Sequence, residues 1–360
     1  MSKKPKLDSA LEERPGVIQK ESVNPKAAQN IKKLRNAPVN VGQLKVAILA
    51  GDPVALSRGI TLVESTATKH QKMAQQLILE CLPHTKSSLR IGITGVPGVG
   101  KSTFIEQFGN LLIDQGKKVA VLAIDPSSSV NQGSILGDKT RMDTLVRSND
   151  AFIRPSASGE SLGGVARKTR EAIVLCEAAG YDYILIETVG VGQSETAVHS
   201  MTDFFLLLKL AGAGDELQGI KRGIIEMADA IVINKADGEN QKAARLAKTE
   251  FNRALHLYPS KENGWSPKTL TCSAIENQGI QEVFAMIKDF EKLTKKNKHF
   301  EARRKTQQEY WFKQTVNNTL LDSFYKNPKV LKEMQVLLSA MRNNELTPFE
   351  AAYRLLSKVE

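Results

Sequence analysis

The sequence predicts an α/β fold with a mostly parallel β-sheet flanked by helices. Between residues 89 and 292, short apolar runs alternate with segments of helical periodicity, the order typical of parallel strands joined by helices. Acidic residues and glycine-rich segments follow several of the apolar runs, as expected where parallel strands end at a ligand-binding edge. We predict strands over 89–94, 118–124, 151–153, 183–187, 203–209, 229–234 and 268–272.

The domain organisation follows from changes in composition along the 360 residues. Asp52-Pro53 is typical of a helix start, and helical periodicity continues to the stop at Pro83. We expect four segments: a disordered basic tail over 1–40, an N-terminal helical segment over 41–86, a sheet domain over 87–293 and a C-terminal helical arm over 294–360.

Composition limits the classes of protein that remain. No apolar run approaches the ~20 residues of a membrane span. The net charge of +11 is concentrated in residues 1–40 and 291–313, where aromatic residues do not interleave with the basic runs in the way that a base-stacking platform requires. We therefore interpret these runs as solvated surfaces and do not expect nucleic-acid binding. Three widely spaced cysteines favour reduced thiols and a cytoplasmic location.

A complete phosphate-binding loop follows the first predicted strand. It runs Gly95-Val96-Pro97-Gly98-Val99-Gly100-Lys101-Ser102-Thr103 and leads into a predicted helix. Its glycines allow backbone N–H groups to turn inward around a phosphate at the positive end of that helix. We expect Lys101 to reach the β- and γ-phosphates and the Ser102 hydroxyl to bind Mg²⁺.

A second motif, Asn234-Lys235-x-Asp237, follows a later strand and predicts guanine recognition. The Asp237 carboxylate can accept from guanine N1–H and from the 2-amino group, which adenine lacks. We expect Asn234 to brace the loop and the Lys235 stem to cover the base. After the last strand, the run Ser273-Ala274-Ile275 places the Ala274 N–H as a donor to guanine O6.

Acidic residues at two other strand ends favour a magnesium and γ-phosphate site. Asp125 and Glu187 each follow or end an apolar strand, although either could instead cap the next helix. Asp138 lies in the loop after Asp125 and within its reach. The candidate catalytic residues are Lys101, Asp125, Glu187 and Lys221.

A second glycine-rich loop, residues 211–223, follows another strand. Asp215, Gln218 and Lys221 there offer polar groups for coupling or catalysis, or simply belong to a surface loop. After Gly190 the chain has Val191, where many small GTPases carry a water-orienting glutamine. We expect slow intrinsic hydrolysis that a partner accelerates.

Together, these motifs resemble those of the MeaB/ArgK family, GTPases associated with methylmalonyl-CoA mutase, in the SIMIBI class of P-loop proteins. The resemblance runs from about residue 41 to the C-terminus and rests on GVPGVGKST, AIDPSSSVNQGSILGDKTRM, ETVGVGQSE, AGAGDELQGIKRG, NKADGEN and TCSA.

The resemblance implies GTP or GDP as ligand, with Ser102, Asp125, Asp138 and Glu187 around Mg²⁺. It assigns Asp215, Gln218 and Lys221 to a mobile switch loop that responds to the partner enzyme. It also implies a homodimer joined by the C-terminal arm, and a chaperone that gates adenosylcobalamin delivery to a B12-dependent acyl-CoA mutase and protects or reactivates it. Methylmalonyl-CoA mutase is the favoured partner.

Two other functions stay open at this point. A SIMIBI metallochaperone would need a Cys/His cluster, but Cys81 and His84 form only one isolated pair in the sequence. A P-loop kinase would transfer phosphate to an acceptor, whereas the Asn-Lys-x-Asp motif predicts guanine preference and release of free phosphate.

Overall fold

Seven strands form one sheet in the part of the chain that the computed structural model describes, namely residues 39–124, 142–154, 162–188, 194–212, 222–259 and 261–357. They are β1 (Leu89–Gly95), β2 (Val119–Ile124), β3 (Ala151–Arg154), β4 (Tyr183–Thr188), β5 (Phe204–Leu210), β6 (Ala230–Asn234) and β7 (Lys268–Thr271). Each begins and ends within one residue of its predicted bounds. The tail predicted over 1–40 lies outside the described residues except for 39–40.

The strand order is β3-β2-β4-β1-β5-β6-β7, and every neighbouring pair is parallel. This confirms the predicted parallel sheet. β1 lies at the centre between β4 and β5, and all seven of its residues are buried, as expected for a strand covered on both faces. Because the carboxyl ends of parallel strands share one edge, β1, β4, β5 and β6 all end there.

The described residues also form α-helices before, between and after the strands. They are α1 (Val41–Leu49), α2 (Pro53–Glu64), α3 (Thr68–Cys81), α4 (Lys101–Asp114), α5 (Leu162–Ala178), α6 (Ser194–His199), α7 (Arg222–Met227), α8 (Gln241–Leu255), α9 (Ile280–Lys296), α10 (His299–Tyr325), α11 (Pro328–Arg342) and α12 (Pro348–Ser357). The start predicted at Asp52-Pro53 is confirmed, since the Asp52 side chain accepts from the Val54 N–H at 2.7 Å and caps α2.

Aromatic side chains join the helices to the sheet on one face. Phe104 and Phe108 of α4 stack with ring centroids 5.6 Å apart, and Phe290 of α9 packs edge-on against Phe204 of β5. On the other face, α8 packs its apolar stripe against β6. Phe104 belongs to the same buried cluster as Ile91 and Ile93 of β1, so the first turns of α4 pack in one core with the central strand and position the loop between them.

The C-terminal arm is joined to the sheet through the first half of α10, residues 303–311, here called the arm root. The Trp311 indole N–H donates to the Ser200 carbonyl at 3.0 Å, and the Gln307 amide donates to the Thr202 carbonyl at 2.8 Å. Arg304 forms a bidentate pair with Asp203 at 2.9 and 2.7 Å. All three contacts lie in the turn between α6 and β5, at the end of the sheet opposite the carboxyl edge.

None of the described helices is both long enough and apolar enough to cross a membrane.

His199, which contacts the arm root, predicts a pH dependence of stability. His199 lies against Phe205 and 3.2 Å from the Arg303 guanidinium. Burial, reinforced by the charges of Arg303 and Lys261 and opposed by Asp229, lowers the pKa of His199 to about 4. The unfolded chain, with a His pKa near 6.5, therefore takes up the proton first, and stability falls as the pH drops from about 6.5 towards 4.

Urea titrations at several pH values test this prediction. His199→Gln should flatten the fall in the free energy of unfolding between about pH 6.5 and 4.5, because glutamine does not titrate. The exposed His256→Gln variant serves as the control, and its free energy of unfolding should fall with pH as that of the wild type does. If His199→Gln loses as much free energy of unfolding as the wild type over this pH range, the role given to His199 is contradicted.

Candidate nucleotide-binding site

The loop from β1 into α4 requires glycine at two positions. At Gly95 a Cβ would lie 2.6 Å from the Leu208 carbonyl oxygen of β5, so the strand could not approach this closely with any side chain there. Gly100 has a φ of +92°, and a Cβ would lie 2.7 Å from Asn234 Nδ2. Any other residue at either position would move the loop away from β5 or β6.

Lys101 begins α4 and lies back over this loop. Its ammonium donates to the Gly95 carbonyl at 2.9 Å, and the residue is only 9% exposed. No side chain caps the helix, so backbone N–H groups of its first turn face the loop. A cation and the positive end of a 14-residue helix converge on one point, which is the electrostatic arrangement that binds phosphate.

Asn234, the last residue of β6, joins three segments. Its Nδ2 donates to the Val99 carbonyl in the loop at 2.8 Å. Its Oδ1 accepts from the Ala274 N–H at 3.2 Å and from the Cys272 thiol at 3.3 Å. The side chain is 1% exposed, so these contacts are made away from water.

Asp237 lies beside the segment that follows β7. The Ser273 hydroxyl donates to Asp237 Oδ2 at 2.5 Å and accepts from the Glu276 N–H at 3.1 Å. Lys235 is exposed with a φ of +57°, and the Asn240 side chain donates to its carbonyl at 2.8 Å. The Ile275 side chain is 75% exposed. The residues predicted to contact the base thus lie on two adjacent loops.

Glu187 and Ser102 lie on the elements that flank the loop. Glu187 is 4% exposed near the end of β4, in register with Ile93 of β1 and Ala123 of β2. Ser102 is half-buried in the first turn of α4, and its hydroxyl makes no hydrogen bond with another described residue. A hydroxyl and a carboxylate at one sheet edge are hard oxygen donors, and they fit Mg²⁺.

Several predicted residues cannot be placed. Asp125, Asp138, Asp215, Gln218 and Lys221 lie outside the described residues, as does Val191.

Two residues of the loops predicted to bind the base were missed by the sequence analysis. Cys272, counted there among the reduced thiols and included in the TCSA motif without a role of its own, lies behind Asn234, and burial raises the pKa of its thiol to about 12. The thiol is therefore neutral, and it donates its hydrogen to Asn234 Oδ1. At Gly279 a Cβ would lie 2.5 Å from the Thr271 carbonyl oxygen, so this glycine lets the segment after β7 turn tightly into α9. The glycine before the helical run of α9 was the available signal.

The fold and these loops define a P-loop GTPase of the SIMIBI class. A family model described as "Methylmalonyl Co-A mutase-associated GTPase MeaB" matches residues 56–329. The chain belongs to this MeaB family.

Individual relatives agree with that assignment. A probable GTPase of Mycobacterium tuberculosis (strain ATCC 25618 / H37Rv) is 52% identical over 316 residues, covering 88% of this chain and 94% of the relative. The GTPase ArgK of Escherichia coli (strain K12) is 46% identical, with 83% and 90% covered. The mitochondrial methylmalonic aciduria type A homolog of Mus musculus is 43% identical, with 88% and 79% covered.

A solved structure has the same fold. The crystal structure of an LAO/AO transport system kinase superposes with a TM-score of 0.72 at 37% identity, covering 90% of this chain and 99% of that one.

The Asn234 contacts predict a stability difference between two matched substitutions. Asn234→Asp keeps the acceptor for the Ala274 N–H but turns a carboxylate oxygen towards the Val99 carbonyl, so we expect a loss of about 1–3 kcal/mol in the free energy of unfolding. Asn240→Asp makes the same change at the more exposed bond to Lys235 and should cost less than about 1 kcal/mol. Chemical denaturation of both variants measures the difference, and equal losses would be inconsistent with the Asn234 contacts.

Proposed function

We propose that the protein is a GTP-hydrolysing chaperone of a B12-dependent acyl-CoA mutase, with methylmalonyl-CoA mutase as the favoured partner. In this role it gates adenosylcobalamin delivery and protects or reactivates the mutase, with GTP hydrolysis as the checkpoint. The observation that carries the proposal is the match of residues 56–329 to a mutase-associated GTPase family, together with a phosphate loop and a guanine motif at one sheet edge. The buried free cysteines Cys81, Cys176 and Cys272 are consistent with a cytoplasmic location.

The phosphates bind in the loop from Gly95 to Thr103. Lys101 exchanges its hydrogen bond with the Gly95 carbonyl for phosphate oxygens, and the first-turn N–H groups of α4 donate to them. Since both groups are already directed at this point, phosphate binding needs little rearrangement of the chain.

The guanine base binds between Lys235, Asp237 and the segment Ser273–Ile275. The Ser273 hydroxyl orients the Asp237 carboxylate and leaves acceptor capacity for guanine N1–H and the 2-amino group. The Ala274 N–H already donates to Asn234 Oδ1, so guanine O6 shares that donor or replaces Asn234 as its acceptor. The exposed Ile275 side chain leaves this residue only a backbone role or a contact at the edge of the base.

Mg²⁺ is held by Ser102, with Asp125, Asp138 and Glu187 around it. Bound Mg²⁺ neutralises charge on the β- and γ-phosphates. The buried Glu187 carboxylate contributes from β4, and Lys101 from the loop. Lys221 completes the catalytic set. With Asp215 and Gln218 it also forms the switch loop that responds to the mutase. These roles are supported by the resemblance of residues 211–223 to the family motif.

The arm mediates homodimerisation. Beyond the arm root, α10 to α12 expose large apolar side chains, namely Phe312, Leu320, Leu321, Tyr325, Val336, Phe349, Tyr353 and Leu356. This number of exposed large apolar side chains favours an apolar partner surface, and a second copy of the arm offers one.

A kinase is the second candidate, because the matching solved structure is described as a transport system kinase. The two functions differ in product. A GTPase releases free phosphate, whereas a kinase leaves phosphate on an acceptor. Thin-layer analysis of γ-labelled GTP with and without candidate acceptors separates them.

The affinities for nucleotides with different bases test the guanine site. Asp237→Asn should weaken GTP binding by at least about a hundredfold, because the amide can no longer accept from both guanine donors. The same variant should gain affinity for xanthosine triphosphate, whose 2-carbonyl accepts from the new amide. Calorimetry measures both affinities, with the exposed Glu239→Gln as control. Wild-type protein that binds ATP as tightly as GTP would rule out the proposed base site.

Partner dependence tests the chaperone role. The isolated protein should hydrolyse GTP at well below about 1 s⁻¹, because the sequence has Val191 where many small GTPases carry a water-orienting glutamine. Addition of a B12-dependent acyl-CoA mutase should change this rate and give a complex in size-exclusion chromatography. A mutase that neither binds nor alters the rate, or an isolated rate of several per second, argues against the role.

A further inference from the structure

Arg170 is a buried cation without a counter-ion in its own chain. It lies on α5 and is only 9% exposed. Its Nε is enclosed and has no hydrogen-bond partner, and the guanidinium forms no hydrogen bond or ion pair with any residue that the structure describes. An ionised group removed from water is costly unless another group replaces its hydration. An unpaired buried arginine therefore indicates a partner that does not belong to this protomer.

Two other arginines at the junction of α5, β1 and the arm root are paired. Arg90 is held by both oxygens of Glu177 at 2.9 Å, and Arg304 forms its pair with Asp203 at 2.7 Å. The carboxylates of Glu177 and Asp203 are thus already engaged. Arg170 is the guanidinium that this local network leaves without an acceptor.

Two aromatic rings of α10 hold the Arg170 guanidinium in place. Its Cζ lies 5.4 Å from the centroid of the Trp311 ring and 5.8 Å from that of the Tyr310 ring. Such cation–π contacts offset part of the lost hydration, but they provide no acceptor for the N–H groups. Burial therefore lowers the pKa of Arg170, although Tyr310 and Glu171 oppose this shift.

The surface beside Arg170 is the start of the exposed apolar part of the arm. Tyr310, which covers one side of the guanidinium, is 45% exposed, and Phe312 is 70% exposed. A second copy seated on these side chains would also cover Arg170 and exclude water from it. In a two-fold dimer both copies use the same patch of surface, so the group that meets Arg170 must itself lie in this patch.

Glu309 is an acidic residue that meets this requirement. It directly precedes Tyr310 on α10, is exposed, and forms no hydrogen bond or ion pair with another described residue. Asp322 and Glu350, further along the arm, already form ion pairs within their own helices. The patch therefore carries an unpaired cation and an unpaired carboxylate, as a self-complementary surface requires.

We propose that the arm root is a carboxylate-binding site of the homodimer, in which Arg170 of each protomer binds Glu309 of the partner subunit. Two-fold symmetry forms the pair twice in each dimer. A planar guanidinium binds a carboxylate through two parallel hydrogen bonds, so the pair fixes how the two copies are aligned as well as how tightly they associate. The inference rests on the proposed function in that the arm joins two copies of the chain.

Sedimentation velocity over a dilution series of the full chain measures the dimer dissociation constant. Arg170→Met keeps an apolar stem against the two rings, and Glu309→Gln removes the charge at nearly constant size. Each variant should raise the dissociation constant at least about a hundredfold, tenfold for each of the two symmetric pairs. The double variant should dissociate little more readily than either single variant, because both changes remove the same contact.

Glu301→Gln is the matched control. Glu301 is also an exposed, unpaired acidic residue of α10 among the described contacts, about two turns before Glu309. Its loss should leave the dissociation constant unchanged. Because Glu309 is exposed, Glu309→Gln tests the pair even where Arg170→Met lowers the stability of the protomer.

The oligomeric state of the wild type separates this inference from the homodimerisation on which it rests. A wild type that is monomeric throughout the series would overturn both. A wild-type dimer whose dissociation constant is unchanged in Arg170→Met and Glu309→Gln would overturn the inference alone, because ordered water would then satisfy the guanidinium. Loss of mutase binding from variants that remain intact dimers would also overturn it, since the carboxylate would then belong to the mutase.

Discussion

The nucleotide-binding edge depends on one buried amide. Asn234 donates to the phosphate loop through Val99 and accepts from the segment after β7 through Ala274, so the phosphate and base loops have a fixed separation. The parallel sheet brings the strand ends to one edge. The hydrogen bonds of the Asn234 side chain then fix the distance between the two loops. The close approach of Gly100 to Asn234 is part of the same constraint.

Most of the fold could be predicted from the sequence, because the strands are continuous apolar runs and the loops between them carry strong local signals. All seven strands of the described sheet were predicted, as was the capped start of α2 at Asp52. Local patterns of this kind depend on neighbours in the chain, and these are visible in a single sequence. Among the predicted site residues, Asn234 contacts the phosphate loop and the segment after β7, and Asp237 contacts Ser273.

Contacts between residues distant in the chain could be predicted only where a motif marks them, as for Asn234 and the phosphate loop. Nothing near Glu106 marks it as the partner of Thr144, since a glutamate in an amphipathic helix is typical of a solvated face. Cys272 gives no sequence signal for its place behind Asn234. The arm root shows the same limit, because Trp311 follows helical spacing whether or not it reaches the Ser200 carbonyl. Such pairings depend on the three-dimensional approach of helices, which periodicity does not encode.

The arm is held at only one end among the contacts that the structure describes. The bidentate Arg304–Asp203 pair and the Gln307 bond tie its first turns to the sheet, while the apolar side chains beyond Trp311 are mostly open to solvent. Evolution can therefore treat the two parts differently. Under the homodimerisation proposed above, changes in the outer turns would alter the association of two copies and leave the sheet domain intact, whereas changes near Arg304 would disturb that domain itself. Exchanging only the outer turns between relatives would then change the association with the least effect on the rest of the fold.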